Sequence, residues 1–532
     1  MIRIRDLSLT LSQDMGDLIR LAARRLHVQE GDIGRLLVRK KSIDARKKDD
    51  IRILYTVDVT VHKDEGKLLR RLKKDPKVTP AKTPVYHVPV PQVLPDERPV
   101  VVGFGPGGMF AALVLAEAGL RPIVLERGAD AETRKKKVEE FWKTGRLDPD
   151  CNVQFGEGGA GTFSDGKLNT GIKSDWIGWV LEQFHKAGAR EDILTDAKPH
   201  IGTDVLVTVV QNLRKRIEAL GGEVRFGCRL TGLTREGDQL TGLTYEQAGT
   251  SCALPCRHLI LAIGHSARDT FRMLLDAGVP MEPKAFSMGV RIEHPQSWLN
   301  QTQYGPSAGH PSLPPADYKL SVHLPDGSSA YTFCMCPGGY VVAAASEDGG
   351  VVTNGMSNAD RDGENCNSAL LVTLRPENFP DRGVLGGMEW QRQLERACFR
   401  QGGGTYRAPA QLVGDFLTGR PSTGSGAVSP TYRPGVVYGS LDDCLPPQIT
   451  GVLRNALPEL DKKLPGFAAP DAVMTAPETR SSCPVRILRD ATQQSALRGL
   501  FPCGEGAGYA GGITSAAVDG IRCAEALIVD LA

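Results

Sequence analysis

The chain has 532 residues, of which 41% are hydrophobic and 24% are charged, as in a folded globular protein. This length exceeds one ordinary core, so two or three domains are expected. The net charge of +2 gives no indication of a partner. No segment reaches the roughly 18 apolar residues of a membrane helix, and the charged start MIRIRDLSLT excludes a secretory signal. We therefore expect a cytoplasmic protein without membrane contact, its twelve cysteines reduced.

Residues 1–90 are predicted to form a separate basic α+β module. They carry 21 Lys/Arg against 12 Asp/Glu, a net charge of +9. Strands are predicted over Ile2–Leu9, Gly34–Ser42 and Ile51–Val61, and helices over Asp14–Leu26 and Gly66–Lys74. The densest positive charge comprises Arg39, Lys40, Lys41, Arg46, Lys47 and Lys48. It suits a nucleic-acid patch, or a solvated turn in a docking or oligomerisation domain. We favour the solvated turn, because aromatic residues for base stacking are sparse.

A proline-rich linker follows, and then a dinucleotide-binding fingerprint. The apolar strand Val100–Val102 leads into GFGPGG (103–108), which fits G-x-G-x-x-G and opens an apolar helix. A second short strand ends at Glu126, 21 residues after Gly105. An acid at this position can accept hydrogen bonds from ribose hydroxyls and disfavours a 2′-phosphate. The fingerprint therefore predicts FAD or NAD.

A second glycine-rich stretch, VQFGEGGAGTFSDGKLNTG (153–171), is too rich in glycine for a helix or strand. We interpret it as a loop facing a cofactor or substrate. The alternative is a mobile surface loop, which the apolar Phe155 and Phe163 disfavour. Next come a helix over Thr203–Leu220, a β-meander beginning with a strand over Glu223–Thr231, and the buried strand LILAIG (259–264).

Strand patterns dominate from Lys284 to about Pro470, after which GLFPCGEGAGYAGGITSAAVDG (499–520) again gives a strand, a glycine turn and a helix. We predict five segments, which are a basic module (1–90), a linker (91–98), an FAD-binding domain (99–283 and 471–532) and an inserted β-rich, α+β substrate domain (284–470). The fold class is α/β, with a Rossmann-type sheet and a β-meander in the FAD-binding domain.

The motifs together resemble a family. The fingerprint paired with a C-terminal glycine motif resembles the glutathione-reductase-like flavoprotein superfamily. The strings FGEGGAGTFSDGKL, AIGHSARDTF, GVRIEHPQ, FCMCPGGYVV and PCGEGAGYAGGITSAAVDG resemble an uncharacterised bacterial FAD-dependent dehydrogenase family across nearly the whole chain. The resemblance implies FAD as cofactor and a ferredoxin-like N-terminal module, but it names no substrate.

The resemblance also implies positions for FAD. Gly103, Gly105, Pro106, Gly107 and Gly108 would face the pyrophosphate, Glu126 and Arg127 the ribose, and Arg229 or Leu230 the adenine. The cofactor-facing set further includes Gly159, Gly161, Thr162, Gly264, Gly504, Glu505, Gly512, Ile513 and Thr514. The last three begin a helix whose positive end would stabilise the reduced flavin.

Candidate catalytic groups are titratable residues on the motifs expected near the flavin ring. They are Lys167 in the glycine-rich loop, His265 after the buried strand, and Arg291 and Glu293 in GVRIEH, with Ser164, Arg268 and His294 as further candidates. In an alternating strand, Arg291 and Glu293 share one face. An Arg–Glu pair on a strand also suits a purely structural function.

Cysteine spacing predicts neither a metal site nor a catalytic disulfide, because Cys334-x-Cys336 is not the C-x-x-C of thioredoxin-like motifs. No second fingerprint follows residue 130, so electrons come from the substrate, from transiently bound NAD(P)H or from another protein. The leading hypothesis is an FAD-dependent oxidoreductase that takes a hydride from a small organic substrate. The alternatives are an RNA-associated flavoprotein docking through residues 1–90, and a non-enzymatic flavin redox sensor. Sequence does not indicate the oligomeric state.

Overall fold

The fold is described for residues 1–531 by a computed structural model. The first group of elements is a four-stranded antiparallel sheet with two helices. Its elements are β1 (Ile2–Thr10), α1 (Met15–Leu26), β2 (Ile33–Asp44), β3 (Arg52–Val61), α2 (Glu65–Arg71) and β4 (Val78–Pro80). The strand order β2-β3-β1-β4 gives the ferredoxin-like split β-α-β topology. Asp14 caps α1 as predicted, since its side chain accepts from the N–H groups of Gly16 and Asp17.

Part of the basic segment 39–48 contacts the rest of the chain. The N–H of Lys41 donates to the Thr195 carbonyl at 2.7 Å, and the Lys41 carbonyl accepts from Ala197 at 2.8 Å. Arg39 pairs at 2.7 Å with Asp58, which is fully buried. Lys41 therefore bonds to main chain outside the N-terminal module, whereas Arg39 pairs within it.

The second group contains the fingerprint and the meander. Its elements are β5 (Val100–Val102), α3 (Pro106–Glu117), β6 (Ile123–Leu125), α4 (Ala131–Thr144), α5 (Ile177–Lys186), α6 (Thr203–Ala219), β7 (Glu223–Arg225), β8 (Cys228–Glu236), β9 (Gln239–Gln247), β10 (Thr250–Pro255), β11 (Leu259–Leu261), α7 (Arg268–Asp276) and β12 (Met281–Pro283).

The third and fourth groups complete the chain. The third consists of β13 (Phe286–Pro295), α8 (Gln296–Tyr304), β14 (Ser321–His323), β15 (Ser329–Cys336), β16 (Gly339–Ala343), β17 (Thr353–Ser357), β18 (Asn365–Leu374), α9 (Gly386–Gln401), β19 (Ala408–Leu412), α10 (Val413–Thr418), β20 (Val436–Tyr438), α11 (Pro447–Lys463) and β21 (Val473–Glu478). The fourth consists of β22 (Val485–Ile487), β23 (Leu500–Pro502) and α12 (Ile513–Asp530).

A five-stranded parallel sheet joins the two ends of the nucleotide-binding region. Its order is β23-β11-β5-β6-β7, so the C-terminal strand lies beside β11 and one strand away from the fingerprint strand. An apolar cluster from α3, α5, α6 and α12 packs on one face, and the meander β10-β9-β8 with α7 packs on the other. Burial on both faces explains why β5, β6 and β11 consist only of Val, Ile and Leu.

The prediction of one strand over Glu223–Thr231 is wrong. β7 ends at Arg225 in the parallel sheet, and β8 begins at Cys228 in the meander. Between them Gly227 has a φ of 67°, a left-handed conformation that glycine adopts without strain. The chain turns at this glycine from one sheet into the other.

The third group is built on a seven-stranded sheet with the order β14-β15-β18-β13-β21-β19-β20. The sheet includes β21 (Val473–Glu478), so it continues past residue 470, where the inserted domain was predicted to end. The largest apolar cluster of the protein lies against this sheet and includes residues of α8, α9 and α11. None of the helices within residues 1–531 has both the length and the apolar character needed to cross a bilayer.

Candidate functional site

A cavity of about 540 Å³ lies between the parallel sheet, the glycine-rich loop 153–171 and the seven-stranded sheet. Most of the predicted site residues form its wall. They are Gly103, Gly105, Pro106, Gly107, Glu126, Arg127, Gly159, Gly161, Lys167, Leu230, Gly264, His265, Gly504, Glu505, Gly512, Ile513 and Thr514. Stretches separated by 400 residues in sequence thus converge on one space.

Two of the predicted cofactor residues lie behind the wall. A Cβ on Gly108 would lie 1.9 Å from the Gly103 carbonyl oxygen, so this glycine permits contact between the turn and α3. The Thr162 hydroxyl donates to the Glu157 carbonyl at 3.2 Å, within its own loop. Both residues support the site from behind.

The fingerprint turn leaves a helix start open to the cavity. Gly103 has a φ of 95°, and a Cβ there would lie 2.2 Å from the Ala262 carbonyl oxygen. Gly105 is the N-cap of α3, and within the described chain no side chain caps this helix start. The first N–H groups of α3 are therefore available to an anion.

A second helix start reaches the same cavity. Gly512 is the N-cap of α12, also without a side-chain cap among residues 1–531. Helices α3 and α12 pack closely, since a Cβ on Gly520 would lie 2.1 Å from the Gly107 carbonyl oxygen. The Thr514 hydroxyl donates to the Leu168 carbonyl at 2.7 Å, which fixes the start of α12 to the glycine-rich loop.

Glu126 holds three loops together at the other end of the cavity. Its carboxylate accepts from the N–H groups of Phe104 at 2.7 Å and of Gly128 and Gly156 at 2.9 Å. A carboxylate offers about four acceptor positions, so one is left for a ribose hydroxyl. Arg127 lies beside it, with its guanidinium 4.6 Å from the Phe155 ring centre.

Arg134 organises the glycine-rich loop, although sequence reasoning missed it. Its fully buried guanidinium donates to the carbonyls of Asn152, Val153 and Glu157 at 2.7–2.9 Å and to that of Gly156 at 3.3 Å. The sequence did carry a signal, because Arg134 lies four residues before Val138 on the buried side of an otherwise charged helix.

Lys167 is held at the wall by a buried acid. It pairs at 2.8 Å with Asp165, and its ammonium donates to the Met335 carbonyl in β15. Asp165 is fully buried and also pairs with Arg361 at 2.5 Å. Burial opposes ionisation of Asp165, but Lys167 and Arg361 lower its pKa. The predicted Lys167 is therefore a positioned cation at the cavity.

The two strand residues predicted as catalytic do not reach the wall. Arg291 is fully buried and pairs with Glu478 at 3.0 Å, while donating to the Cys334 carbonyl at 2.9 Å. The Glu293 carboxylate accepts from the Thr431 hydroxyl at 2.6 Å. Glu293 therefore makes structural bonds to the segment that precedes β20. Arg291 contacts Glu478 and Cys334, which do line the cavity.

Of the further candidates, Ser164 lines the wall, whereas His294 does not and donates from Nε2 to the Phe467 carbonyl at 2.8 Å. His265 lines the wall, and its Nδ1 lies 2.9 Å from the Ser266 hydroxyl. Burial, with Arg480 and Arg268 nearby, lowers the pKa of His265 to about 3. This imidazole is neutral at physiological pH and serves as a hydrogen-bonding group.

Glu505 contributes a carboxyl group to the wall next to the C-terminal glycine motif. Burial raises its pKa to about 7, against Lys284, which lowers it. An acid with this pKa changes protonation near neutral pH and can both accept and donate a proton.

Glu505 also gives a pH-dependent stability that is measurable on the apoprotein. Folding raises the pKa of Glu505. Its contribution to the free energy of unfolding is therefore full below the pKa that Glu505 has in the unfolded chain, and it is lost as the pH rises through 7. We expect Glu505→Gln to raise the free energy of unfolding by roughly 1–2 kcal/mol at pH 8 and to change it little at pH 5. Urea unfolding at both values measures this.

The half-exposed Glu282 provides the matched substitution for that experiment. Glu282→Gln should shift the urea midpoint equally, and slightly, at pH 5 and pH 8. If Glu505→Gln behaved in the same way, Glu505 would titrate at its ordinary pKa and could not serve as a neutral-pH proton carrier.

Cys503, Asp519 and Cys523 form a cluster in which their ligand atoms lie within 4.8 Å of one another. Arg489 already pairs with Asp519 at 2.6 Å and donates to the Cys523 sulfur at 3.3 Å. A guanidinium therefore neutralises this acid, and the cluster is not suited to a metal cation.

Comparison with known sequences identifies two domains and one full-length relative. Residues 285–481 match the FAD-dependent protein, C-terminal domain-like family, and residues 1–60 match a domain of unknown function. An uncharacterized protein of Clostridium beijerinckii is 48% identical over 537 residues, covering 99% of this chain and 98% of the relative.

Solved structures resemble the chain only distantly. A triple mutant of the flavin-dependent brominase Bmp2 matches with 12% identity over 82% of this chain and 80% of that chain, at a TM-score of 0.39. A variant of the E. coli quinol fumarate reductase FrdA matches with 12% identity over 82% and 71%, at a TM-score of 0.37. Likenesses of this strength say nothing about the reaction of this chain. The identity to the full-length relative shows that the chain belongs to the same family as the Clostridium protein. Together with the matched C-terminal domain, it identifies the chain as an FAD-dependent flavoprotein.

Proposed function

We propose that the protein is an FAD-dependent oxidoreductase that transfers a hydride between a small organic substrate and FAD. The observation that carries this proposal is the composition of one cavity. Its wall combines two uncapped helix starts, suited to a dinucleotide, with Lys167, His265 and Glu505, which are suited to a reacting substrate.

Different residues of the cavity wall would bind different parts of FAD. The start of α3, with Gly105 and Gly107, would hold the pyrophosphate. Glu126, Arg127 and Leu230 would hold the adenosine. The start of α12, from Gly512 to Thr514, would face the isoalloxazine ring, where a helix N-terminus stabilises negative charge. Bound FAD supplies the two-electron acceptor for the hydride.

The chain's own residues would bind the substrate and move its proton. Lys167 presents a cation held by Asp165 and the Met335 carbonyl, which suits a carboxylate or another anionic group. The Glu505 carboxylate would take or return the proton that accompanies hydride transfer, since its pKa of about 7 permits both states. We propose that the region 284–481, which contributes Cys334 and Arg480 to the wall, recognises the substrate.

An anaerobic reduction screen tests the proposed function. The FAD-loaded protein is mixed with NADH, NADPH and a panel of hydroxy acids, amino acids and aldehydes, and loss of the oxidised flavin absorbance is followed. We expect at least one compound to reduce the flavin. We expect Lys167→Met to slow that reduction at least tenfold while FAD content stays at the parental level.

Lys173 is an exposed lysine a few residues further along the same loop and provides the matched control. Lys173→Met should leave the rate unchanged. A flavin that only dithionite reduces would reject the oxidoreductase proposal and favour a redox sensor. Equal rates in the Lys167 and Lys173 variants would remove Lys167 from the substrate site.

A further inference from the structure

Two cysteines lie at an irregularity of β15 beside the cavity. Phe333 pairs with Ala369 and Cys336 with Asn367, so three steps along β15 match two along β18. This extra residue is a β-bulge, and Cys334 within it has a φ of 44°. Left-handed backbone in a non-glycine residue is strained and is common at functional positions.

The bulge brings together two side chains that a regular strand would keep apart. Residues two apart in a regular strand are separated by about 6.6 Å, whereas disulfide-bonded β-carbons lie about 3.8 Å apart. Here the Cys336 sulfur turns back and donates to the Cys334 carbonyl at 3.3 Å.

The pair has one accessible member and one buried member. Cys334 is partly exposed and lines the cavity, whereas Cys336 is fully buried beneath it. The Cys336 thiol, with help from Lys167 and Arg291, lowers the pKa of Cys334 against the effect of burial. The pKa of Cys336 is raised well above its ordinary value. These neighbours therefore favour the thiolate form at Cys334, while Cys336 keeps its proton and donates it to the Cys334 carbonyl.

Hydrogen bonds of Lys167 and of its neighbour Leu168 connect Cys334 to the start of α12. Lys167 donates to the carbonyl of Met335, the residue after Cys334. The next residue after Lys167, Leu168, accepts from Thr514 at 2.7 Å. The accessible thiol therefore lies at the end of the cavity where the function proposed above puts the flavin ring, and the inference rests on that proposal.

We propose that Cys334 and Cys336 form a redox-active dithiol that exchanges two electrons with bound FAD. In the oxidising direction the Cys334 thiolate and the Cys336 thiol join through a new S–S bond, and the S–H bond of Cys336 breaks. Bound FAD would accept the two electrons and that proton, which balances the loss of one proton and two electrons from the thiol pair. The reverse step breaks the S–S bond and restores the thiolate and the thiol. This thiol pair revises the expectation, based on spacing alone, of no catalytic disulfide.

An electron count tests the dithiol directly. The FAD-loaded protein is oxidised with diamide, desalted and titrated anaerobically with dithionite. We expect about four electrons per FAD for the parent, two for the flavin and two for the disulfide. Cys334→Ser and Cys336→Ser should each require about two. Cys252→Ser, a partly exposed cysteine in the meander, should still require about four.

Mass spectrometry gives a second result that does not depend on the flavin. The apoprotein is equilibrated in a glutathione redox buffer, digested, and examined for the peptide that contains both cysteines. We expect this peptide to lose two hydrogens as the buffer becomes more oxidising. The inference would be overturned if the parent took two electrons per FAD and the peptide kept both thiols in diamide.

The outcomes separate this inference from the proposed function. A protein whose flavin is reduced by an organic substrate but which takes only two electrons keeps the function and loses the dithiol. A protein that takes four electrons but whose flavin is reduced by no compound of the screen keeps the dithiol and loses hydride transfer from an organic substrate.

Discussion

Replacement of Glu395 by glutamine is expected to cost about 3–5 kcal/mol of folding free energy, because it removes the carboxylate that two buried arginines share. Arg480 would lose its carboxylate partner, and Arg268 would keep Glu347 at 3.0 Å. The Glu395 carboxylate pairs with Arg268 at 2.8 Å and with Arg480 at 3.0 Å. The exposed fraction of all three side chains is 3% or less. Total stabilities are typically only 5–15 kcal/mol, so the variant should lose most of its soluble yield and unfold at much lower urea concentration.

The position of this cluster explains the size of the effect. Arg268 begins α7 directly after the wall residues Gly264–Ser266, Glu395 lies in α9, and Arg480 follows β21 and itself lines the cavity. Glu395 therefore ties together three parts of the chain that meet at the site. Its loss should loosen the cavity as well as the core.

The same cluster predicts an acid limit to stability. Burial alone would raise the pKa of Glu395, but Arg268 and Arg480 lower it well below its ordinary value. A lowered pKa gives stability that is present above the unfolded pKa and is lost as the pH falls through the folded one. The penalty of Glu395→Gln should therefore shrink in strong acid, where the parent carboxylate is also protonated.

Two comparisons control this prediction. Glu389→Gln removes a partly exposed partner of Arg392 and should cost at most about 1 kcal/mol. Simultaneous replacement of Arg268, Glu395 and Arg480 by methionine removes all three charges of the cluster. This triple variant should recover much of the stability that Glu395→Gln loses. If Glu395→Gln unfolded at the parental urea concentration, the arginines would have found other partners or water.

Local chemistry made the two halves of the FAD site predictable. In the fingerprint the glycines, the apolar strand and the apolar helix lie within thirty residues. The glycine turn and the hydrophobic periodicity on either side of it can therefore be read together from one short stretch. The C-terminal motif has the same form. Their convergence followed from the resemblance of the chain to two-motif flavoproteins, and the order β23-β11-β5 brings the two motifs side by side.

Partners distant in sequence made the rest unpredictable. Glu126 is an acid at the right spacing for ribose, but two of its three backbone donors, Phe104 and Gly156, come from loops that only the fold brings to it. The Arg–Glu pair of GVRIEH has the composition of a catalytic site, yet both side chains are buried and bond to protein groups, with Arg291 directly behind the wall residues Glu478 and Cys334. The β-bulge at Cys334 is set by the register of β15 against β18, which the spacing of the two cysteines in the sequence does not indicate.

Gly108→Ala should abolish detectable FAD binding, with at least a hundredfold loss of affinity, or about 3 kcal/mol. The added methyl group would lie 1.9 Å from the Gly103 carbonyl oxygen and 3.3 Å from the Ala262 side chain. The closest obstacle is backbone, so α3 must move away from β5 and β11. That movement would shift the N–H groups at the start of α3, which the proposed function assigns to the pyrophosphate. Binding is measured by quenching of FAD fluorescence on titration with apoprotein.

A graded series separates this steric effect from general damage. At Gly107 the nearest atoms to an added methyl group are 3.4 Å away, so Gly107→Ala should fold normally and weaken FAD binding much less. Gly451 lies inside α11, and an added methyl group there would meet no atom of the described chain within 4 Å. Gly451→Ala should raise stability by roughly 0.5–1 kcal/mol and leave FAD affinity unchanged. If Gly108→Ala bound FAD as tightly as Gly451→Ala, α3 could shift freely without loss of the cofactor, and its N-terminus would not be the pyrophosphate site.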